Sequence, residues 1–131
     1  MTASQKPRVS LCLLTYNRAN VLDRSINSLL SQDYKDFELI INDDCSPDHT
    51  AQVCEAFAKK DPRVKYFRNE KNLRYAGNQN IAMDRAQGEF IAYVHDGDIY
   101  HPFMVREWVE ALDKHPTAAL VFNAVNTLCL L

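Results

Sequence analysis

The chain of 131 residues is poor in glycine and carries no excess of basic residues. Its three glycines are too few for a glycine-rich phosphate loop, and the dinucleotide-binding pattern G-x-G-x-x-G does not occur. There are 15 basic and 17 acidic residues, which give a net charge of -2. Proteins that bind nucleic acids by neutralising phosphates need a basic surplus. The sequence therefore excludes that class and predicts no nucleic-acid partner.

Cysteine pairs and long apolar runs are also absent. None of the four cysteines forms a C-x-x-C pair, so neither a zinc knuckle nor a thioredoxin motif is present, and we expect reduced cysteines that pack as small apolar residues. No apolar stretch approaches the roughly 20 residues of a membrane span, and the first residues lack the apolar segment of a signal peptide. These absences predict a cytoplasmic protein without a membrane span.

Length and composition fit one globular domain over residues 1–131, with 47% apolar and 24% charged residues. Short apolar runs alternate with stretches of helical periodicity. The predicted strands are Val9–Leu14, Phe37–Ile41, Val64–Phe67, Glu89–Val94 and Ala118–Phe122. Three predicted helices are Ala19–Ser31, Tyr75–Ala86 and Pro102–Lys114. A further helix begins at Ser46-Pro47 and carries Val53, Ala56 and Phe57. Gly88 stops the helix Tyr75–Ala86, and Phe103 and Trp108 are expected in the core.

This alternation predicts a mainly parallel, twisted sheet between two layers of helices, with right-handed crossovers. Ligands of such sheets bind outside the carboxyl ends of the strands. Three polar clusters follow the first, second and fourth strands and should meet at that edge. They are Thr15-Tyr16-Asn17-Arg18, Asn42-Asp43-Asp44 and Asp96-Gly97-Asp98.

The Asp96-Gly97-Asp98 cluster offers two carboxylates that could share Mg²⁺ or Mn²⁺. A carboxylate about 4 Å from a phosphate oxygen repels it by roughly 4 kcal/mol at an effective dielectric of 20, and a bridging dication reverses the sign. An acidic edge that binds a diphosphate should therefore use a metal. The alternative is an ordinary surface turn.

The segment from Asp43 to Asp48 allows two interpretations. Ser46 or Asp44 could cap the following helix, or a carboxylate could accept a hydrogen bond from the N–H of a base such as uracil. The loop Thr15-Tyr16-Asn17 could be plain loop structure, or Tyr16 could stack on that base.

These residues resemble family 2 glycosyltransferases of the GT-A fold, in particular bacterial members that act on surface polysaccharide precursors. The stretches that carry the resemblance are VSLCLLTYNR at 9–18, SLLSQDYKDFE at 28–38 with NDDCS at 42–46, and GEFIAY at 88–93 with DGD at 96–98. Their order and spacing cover nearly the whole chain.

The resemblance implies roles for individual residues. Tyr16 would stack on the base in a loop that Thr15 and Asn17 shape, and Asp44 would accept a hydrogen bond from uracil. Asp96 would contact the ribose or the metal, and Asp98 would bind the metal that bridges the diphosphate. Arg74, with Asn80 nearby, would line the nucleotide pocket, although many relatives have glycine where this chain has Arg74.

The resemblance further implies inverting, metal-dependent transfer of a sugar from a nucleotide-diphospho-sugar, with UDP as the expected nucleotide, to a saccharide or lipid-linked acceptor hydroxyl. We expect the catalytic base and the acceptor-binding part beyond Leu131, so that residues 1–131 form the donor-binding half. The apolar residues Leu128–Leu131 could mediate self-association.

Three other classes share parts of this pattern. A Rossmann domain lacks support because the first turn has no glycine. A phospho-receiver domain is disfavoured because its acidic pair belongs after the first strand, whereas Asp43 and Asp44 follow the second. A binding or assembly module that has kept the fold and lost catalysis remains open.

Overall fold

A computed structural model describes residues 6–122 of the chain. Within them, four strands alternate with four helices. The strands are β1 (Val9–Thr15), β2 (Phe37–Asp43), β3 (Val64–Arg68) and β4 (Phe90–His95). The helices are α1 (Ala19–Leu30), α2 (Thr50–Lys60), α3 (Arg74–Arg85) and α4 (Met104–Lys114).

The strands form one parallel sheet in the order β3-β2-β1-β4. The chain thus adds β2 and β3 on one side of β1 and β4 on the other. In open α/β sheets, this reversal of strand order leaves a crevice at the carboxyl ends of the strands on either side of it. The crevice lies between β1 and β4.

Helices cover both faces of the sheet, as the alternation predicts. The larger core packs α1, α2 and α4 against residues such as Leu11, Leu13 and Leu39, all fully buried. The smaller core packs α3 against Cys12 and Ile40 on the opposite face. This arrangement confirms the predicted α/β class with helices on both sides of a parallel sheet.

The predicted fifth strand is wrong for the described residues, since Ala118–Phe122 forms no strand. Leu120 and Phe122 are exposed, at 69% and 82%. A strand needs a neighbour to pair its backbone groups, and no strand of the sheet pairs with this segment. Alternation of apolar residues alone is therefore not enough to predict a strand here.

The start of α2 also differs from the prediction, because the helix begins at Thr50 and not at Ser46-Pro47. The backbone N–H and hydroxyl of Ser46 both donate to Asp43, which holds the chain in a turn. Asp48 then accepts hydrogen bonds from the N–H and hydroxyl of Thr50. Neither Ser46 nor Asp44 caps α2.

Gly88 has a role in packing besides following α3. A Cβ at this position would lie 2.6 Å from the backbone nitrogen of Ser10 in β1. Its own N–H donates to the Ser10 hydroxyl at 2.8 Å. The close approach of the two backbones requires glycine here.

Of the two aromatic residues predicted for the core, one packs there. Trp108 packs against the core as expected, whereas Phe103 is 41% exposed and the prediction for it is wrong. Among residues 6–122, no helix has the length and apolarity that crossing a bilayer requires. The apolar segment Leu128–Leu131 lies outside the described residues.

Candidate functional site

A cavity of about 280 Å³ opens at the predicted edge of the sheet. Its walls come from the ends of β1, β2 and β4 and from the first two turns of α3 with the segment before it. Five of the residues predicted for the site line it. They are Thr15, Tyr16, Asp44, Arg74 and Asp96. Two of the predicted residues, Asn17 and Asp98, are not among the lining residues.

The loop after β1 places Tyr16 with its ring partly exposed, at 47%, on the wall of the cavity. Asn17 follows in the left-handed region at φ 56°, which asparagine tolerates better than most residues. Its N–H donates to the Ser46 hydroxyl at 2.9 Å. Asn17 therefore ties this loop to the loop after β2.

Thr15 contributes a hydroxyl without a protein partner. The residue is 2% exposed, and its Oγ1 is buried and makes no hydrogen bond with any residue between 6 and 122. A buried hydroxyl without a partner is destabilising. Thr15 lies at the wall of the cavity, so this unsatisfied hydroxyl is close to the place where a ligand would bind.

The two adjacent carboxylates at the end of β2 differ in their surroundings, although they form a pair in the sequence. Asp43 is fully buried and points into the protein, where it binds Ser46, accepts a hydrogen bond from the Tyr66 hydroxyl at 3.0 Å and pairs with Arg68 at 3.5 Å. Burial and the bond to Asp43 raise the pKa of Tyr66, so the phenol stays protonated and donates. Asp43 is a structural residue and does not line the cavity.

Asp44 is also buried, at 3%, but it does line the cavity. Its Oδ1 accepts hydrogen bonds from the Asn69 side chain at 2.9 Å and from the N–H of Leu73 at 2.8 Å. Its Oδ2 accepts none from the residues that the structure describes. One oxygen is thus fixed by the protein and the other is free for a ligand.

Two arginines also line the cavity. Arg18, to which the sequence assigned no role, lies 3.9 Å from Asp96. Arg74 adopts φ 61°, a left-handed conformation that is unfavourable for a side chain and easy for glycine. Its guanidinium pairs with no carboxylate in the described part of the chain. This cation is available to an anionic ligand.

The loop after β4 carries the second predicted acidic pair. The Asp96 side chain is 18% exposed and lines the cavity, whereas Asp98 is exposed two residues further on. The Tyr100 hydroxyl binds both the N–H and the carbonyl of His95, and burial raises its pKa to about 12. The neutral phenol can therefore both donate and accept at the base of this loop.

A polar stripe on α1 and just after its end, which the sequence analysis missed, is hydrogen-bonded to this loop and to the start of α4. Ser25 donates to the carbonyl of Asp96 at 3.0 Å, and Ser28 accepts from the N–H of Tyr100 at 3.0 Å. The fully buried Gln32 donates to the carbonyl of His101 and accepts from the N–H of Val105. The spacing of three residues places Ser25 and Ser28 on one face of α1, a signal that was available in the sequence, and Gln32 follows two residues after the helix ends.

The donor set fits a metal that is shared with a ligand, but not a closed protein cage. In residues 6–122, no three side chains of His, Cys, Asp or Glu cluster closely enough to hold an ion. Mg²⁺ and related hard ions commonly use one or two carboxylates and complete their shell with water and substrate phosphates. Asp96, with Asp98 nearby in the chain, supplies that smaller set.

Asn78, for which the sequence predicted no role, lines the cavity in place of the expected Asn80. Asn78 is buried and lines the cavity, whereas Asn80 is exposed and does not. Two residues along a helix are about 200° apart around its axis, so they face opposite ways. Asn72 and Tyr75 also line the cavity and were missed.

Comparison with known proteins places this geometry in a family. The family model described as "Glycosyl transferase family 2" matches residues 10–128. The chain belongs to this family. A GalNAc(5)-diNAcBac-PP-undecaprenol beta-1,3-glucosyltransferase from Campylobacter jejuni is 40% identical over 93 residues, which cover 70% of this chain and 30% of that protein. The putative colanic acid biosynthesis glycosyl transferase WcaA of Escherichia coli is 38% identical over 96 residues, or 73% of this chain and 34% of that protein.

Solved structures of glycosyltransferases share the fold. S. aureus TarS 1-349 in complex with UDP-GlcNAc matches with a TM-score of 0.78 and 29% identity, over 83% of this chain and 32% of that one. The mannosyltransferase PcManGT from Pyrobaculum calidifontis, solved with GDP-Man and Mn2+, matches with a TM-score of 0.76 at 22% identity, over 83% of this chain and 33% of that one, and shows the fold alone. These matches confirm the GT-A fold. This chain spans about a third of the length of the two relatives and of the TarS structure.

Proposed function

We propose that this chain is the donor-binding domain of an enzyme that transfers a sugar from a UDP-sugar to an acceptor hydroxyl. The observation that carries the proposal is the meeting of Thr15, Tyr16, Asp44, Arg74 and Asp96 around one cavity in a family 2 chain. A solved neighbour with 29% identity binds UDP-GlcNAc. Resemblance to bacterial polysaccharide-biosynthesis members suggests that class of product.

The groups in the cavity match the parts of such a donor. The exposed ring of Tyr16 offers a stacking surface for the base, and the free oxygen of Asp44 offers an acceptor for the uracil N–H. The unpaired guanidinium of Arg74 offers charge-assisted hydrogen bonds to phosphate oxygens. Asp96 would contact the ribose or a metal.

Asp96 and Asp98 would hold a divalent cation, Mn²⁺ or Mg²⁺, together with the diphosphate. When bound, such an ion supplies Lewis-acid stabilisation of the negative charge on the departing diphosphate. Arg18, close to Asp96, adds a positive charge at the same wall. The α1 stripe keeps Asp96 in place before any ligand arrives.

The transfer itself would proceed with inversion. The acceptor oxygen forms a bond to the anomeric carbon on the face opposite UDP, and the bond from that carbon to the β-phosphate oxygen breaks. A base removes the proton from the acceptor hydroxyl. We place this base in a segment beyond Leu131, since the roles proposed above already engage Asp44 and Asp96.

A second candidate function is a nucleotide-binding module without transfer activity. It is favoured because no catalytic base is assigned within the described residues. Among the described residues, Asp44 and Asp96 are the carboxylates that line the cavity. The roles in donor binding that we propose for them leave neither to act as a base. Both candidates require UDP binding. Sugar release from a UDP-sugar in the presence of acceptor saccharides, measured on the protein that includes the segment with the base, separates them.

The proposal is tested by thermal unfolding with UDP, with Mn²⁺ or with EDTA. UDP at a hundred times its Kd stabilises the protein by about 2.7 kcal/mol, which raises the Tm by roughly 10 °C for a chain of this size. We expect that rise with Mn²⁺ and a smaller one with EDTA. Equal stabilisation in both would remove the metal from the proposal, and no stabilisation in either would refute UDP binding.

A further inference from the structure

A buried cluster of three asparagine side chains lies directly behind Asp44. Asn42 is the last residue but one of β2, Asn69 follows β3 and Asn78 lies in the second turn of α3. They are 0%, 6% and 3% exposed. Asparagine is a weak choice for an ordinary core, since each amide must find several partners when it is buried.

The three amides satisfy one another. Asn42 donates to the side-chain oxygens of Asn69, at 3.2 Å, and of Asn78. Asn69 also donates to the Asn78 oxygen at 2.9 Å, and Asn78 donates to the backbone carbonyl of Asn42 at 3.1 Å. Arg85, stacked on Phe67 at 4.3 Å, donates to the remaining oxygen of Asn42. The network joins β2, β3 and α3 without burying a net charge among its amides.

The network reaches Asp44 through one of its amides. The Asn69 amide that donates to Asn78 also donates to Oδ1 of Asp44, at 2.9 Å. The N–H of Leu73 adds a second bond to the same oxygen. Two donors on Oδ1 fix the plane of the carboxylate, so the position of Oδ2 at the cavity is determined by the network.

We propose that Asn69 and Asn78 are positioning residues that orient Asp44 and thereby make the cavity selective for uracil. This inference rests on the proposed function and deepens it. A carboxylate oxygen held in one place favours a ring nitrogen that carries a hydrogen, as in uracil. It disfavours cytosine, whose corresponding nitrogen presents a lone pair to the same oxygen. The two rings have the same size and stack alike.

The ratio of the Kd for CDP to the Kd for UDP reports this selectivity. It is measured by calorimetry on the full chain. A hydrogen bond to a charged group is worth about 1.5 to 3 kcal/mol, so we expect the wild type to prefer UDP by about tenfold or more. Asn69→Ala and Asn78→Ala should lower the ratio to about threefold or less, mainly through weaker UDP binding, while CDP affinity stays within about twofold.

Asn80→Ala is the matched control, because it removes the same amide from an exposed position on the same helix. It should leave the ratio unchanged. Circular dichroism confirms folding of each variant. If Asn69→Ala does not fold, Asn69→Ser keeps a hydroxyl donor in the buried site, and we expect its ratio between those of the wild type and Asn78→Ala.

Each other outcome has a definite meaning. Equal losses of UDP and CDP affinity would show that the asparagines only support the cavity wall, and would overturn the inference. A wild-type ratio near one would also overturn it and leave donor binding intact. A wild type that binds neither nucleotide would refute the proposed function itself, and the inference with it.

Discussion

The two acidic segments at the carboxyl edge differ in how the protein holds them. The corner at the end of β2, residues 42–46, is largely buried, and both of its carboxylates are bound by neighbouring side chains or backbone. The loop after β4, Asp96–Ile99, is held at its ends, while Asp98 and Ile99 are exposed. The corner is thus built in advance, whereas the tip of the loop has room to meet a ligand. Two similar sequence motifs therefore serve different ends.

The largest effect should follow from a change in the corner, Asp43→Ala. It leaves the Tyr66 hydroxyl and Ser46 without their acceptor and Arg68 without its partner. Removing one member of a buried, hydrogen-bonded charge network typically destabilises a protein by about 3 to 5 kcal/mol. Urea unfolding measures this loss in the free energy of unfolding.

The control is Asp84→Ala, which removes an exposed carboxylate from α3. Surface changes of this kind usually stay within about 0.5 kcal/mol. If Asp43→Ala were equally mild, the corner would not be the rigid part of the site. The contrast between the two segments would then fail.

The second prediction separates the two carboxylates of the loop. Asp96→Ala should weaken UDP binding both with Mn²⁺ and with EDTA, because Asp96 lines the cavity itself. Asp98→Ala should weaken binding only with Mn²⁺, because Asp98 lies off the cavity wall and would act through the metal. A lost charge-assisted contact corresponds to about 10-fold to 100-fold in Kd. Calorimetric titrations of both variants in both buffers measure the four values.

A control variant for the loop must remove a carboxylate that makes no contact of its own, and Asp48 does not meet this condition. Its carboxylate accepts from the N–H groups of Ala19 and Thr50, and these bonds lower its pKa although burial opposes them. The exposed Asp84 serves instead. If Asp98→Ala and Asp96→Ala had the same effect in EDTA, the proposed division of the loop into a wall residue and a metal ligand would be wrong.

Much of the fold could be predicted because the signals are local. Buried runs such as Val9–Leu14 and helical spacing in α1 follow from short stretches of chain. The position of the site then follows from the strand order of parallel sheets. The segment Ala118–Phe122 shows the limit, since its apolar alternation finds no strand to pair with.

The division of labour within the site could not be predicted, because it depends on contacts between distant residues. Asp43 is structural because Tyr66 and Arg68 approach it from β3, more than twenty residues along the chain. Asn78, and not Asn80, faces the cavity because of the exact phase of α3, and a shift of one residue in its predicted start changes that phase by about 100°. Sequence spacing alone contains neither fact.

The smallest effect should come from the segment that closes the corner over Asp44. Leu73 donates to Asp44, and the chain then passes through Arg74 at φ 61°. A left-handed residue other than glycine costs roughly 1 kcal/mol, so Arg74→Gly should raise the free energy of unfolding by about that amount. The same change removes an unpaired cation from the cavity and should weaken UDP binding several-fold, as expected for one exposed phosphate contact. Thermal unfolding and UDP titration of the one variant measure both effects. A variant that gained stability and lost no affinity would show that Arg74 is merely strained, and would leave the diphosphate to the loop after β4.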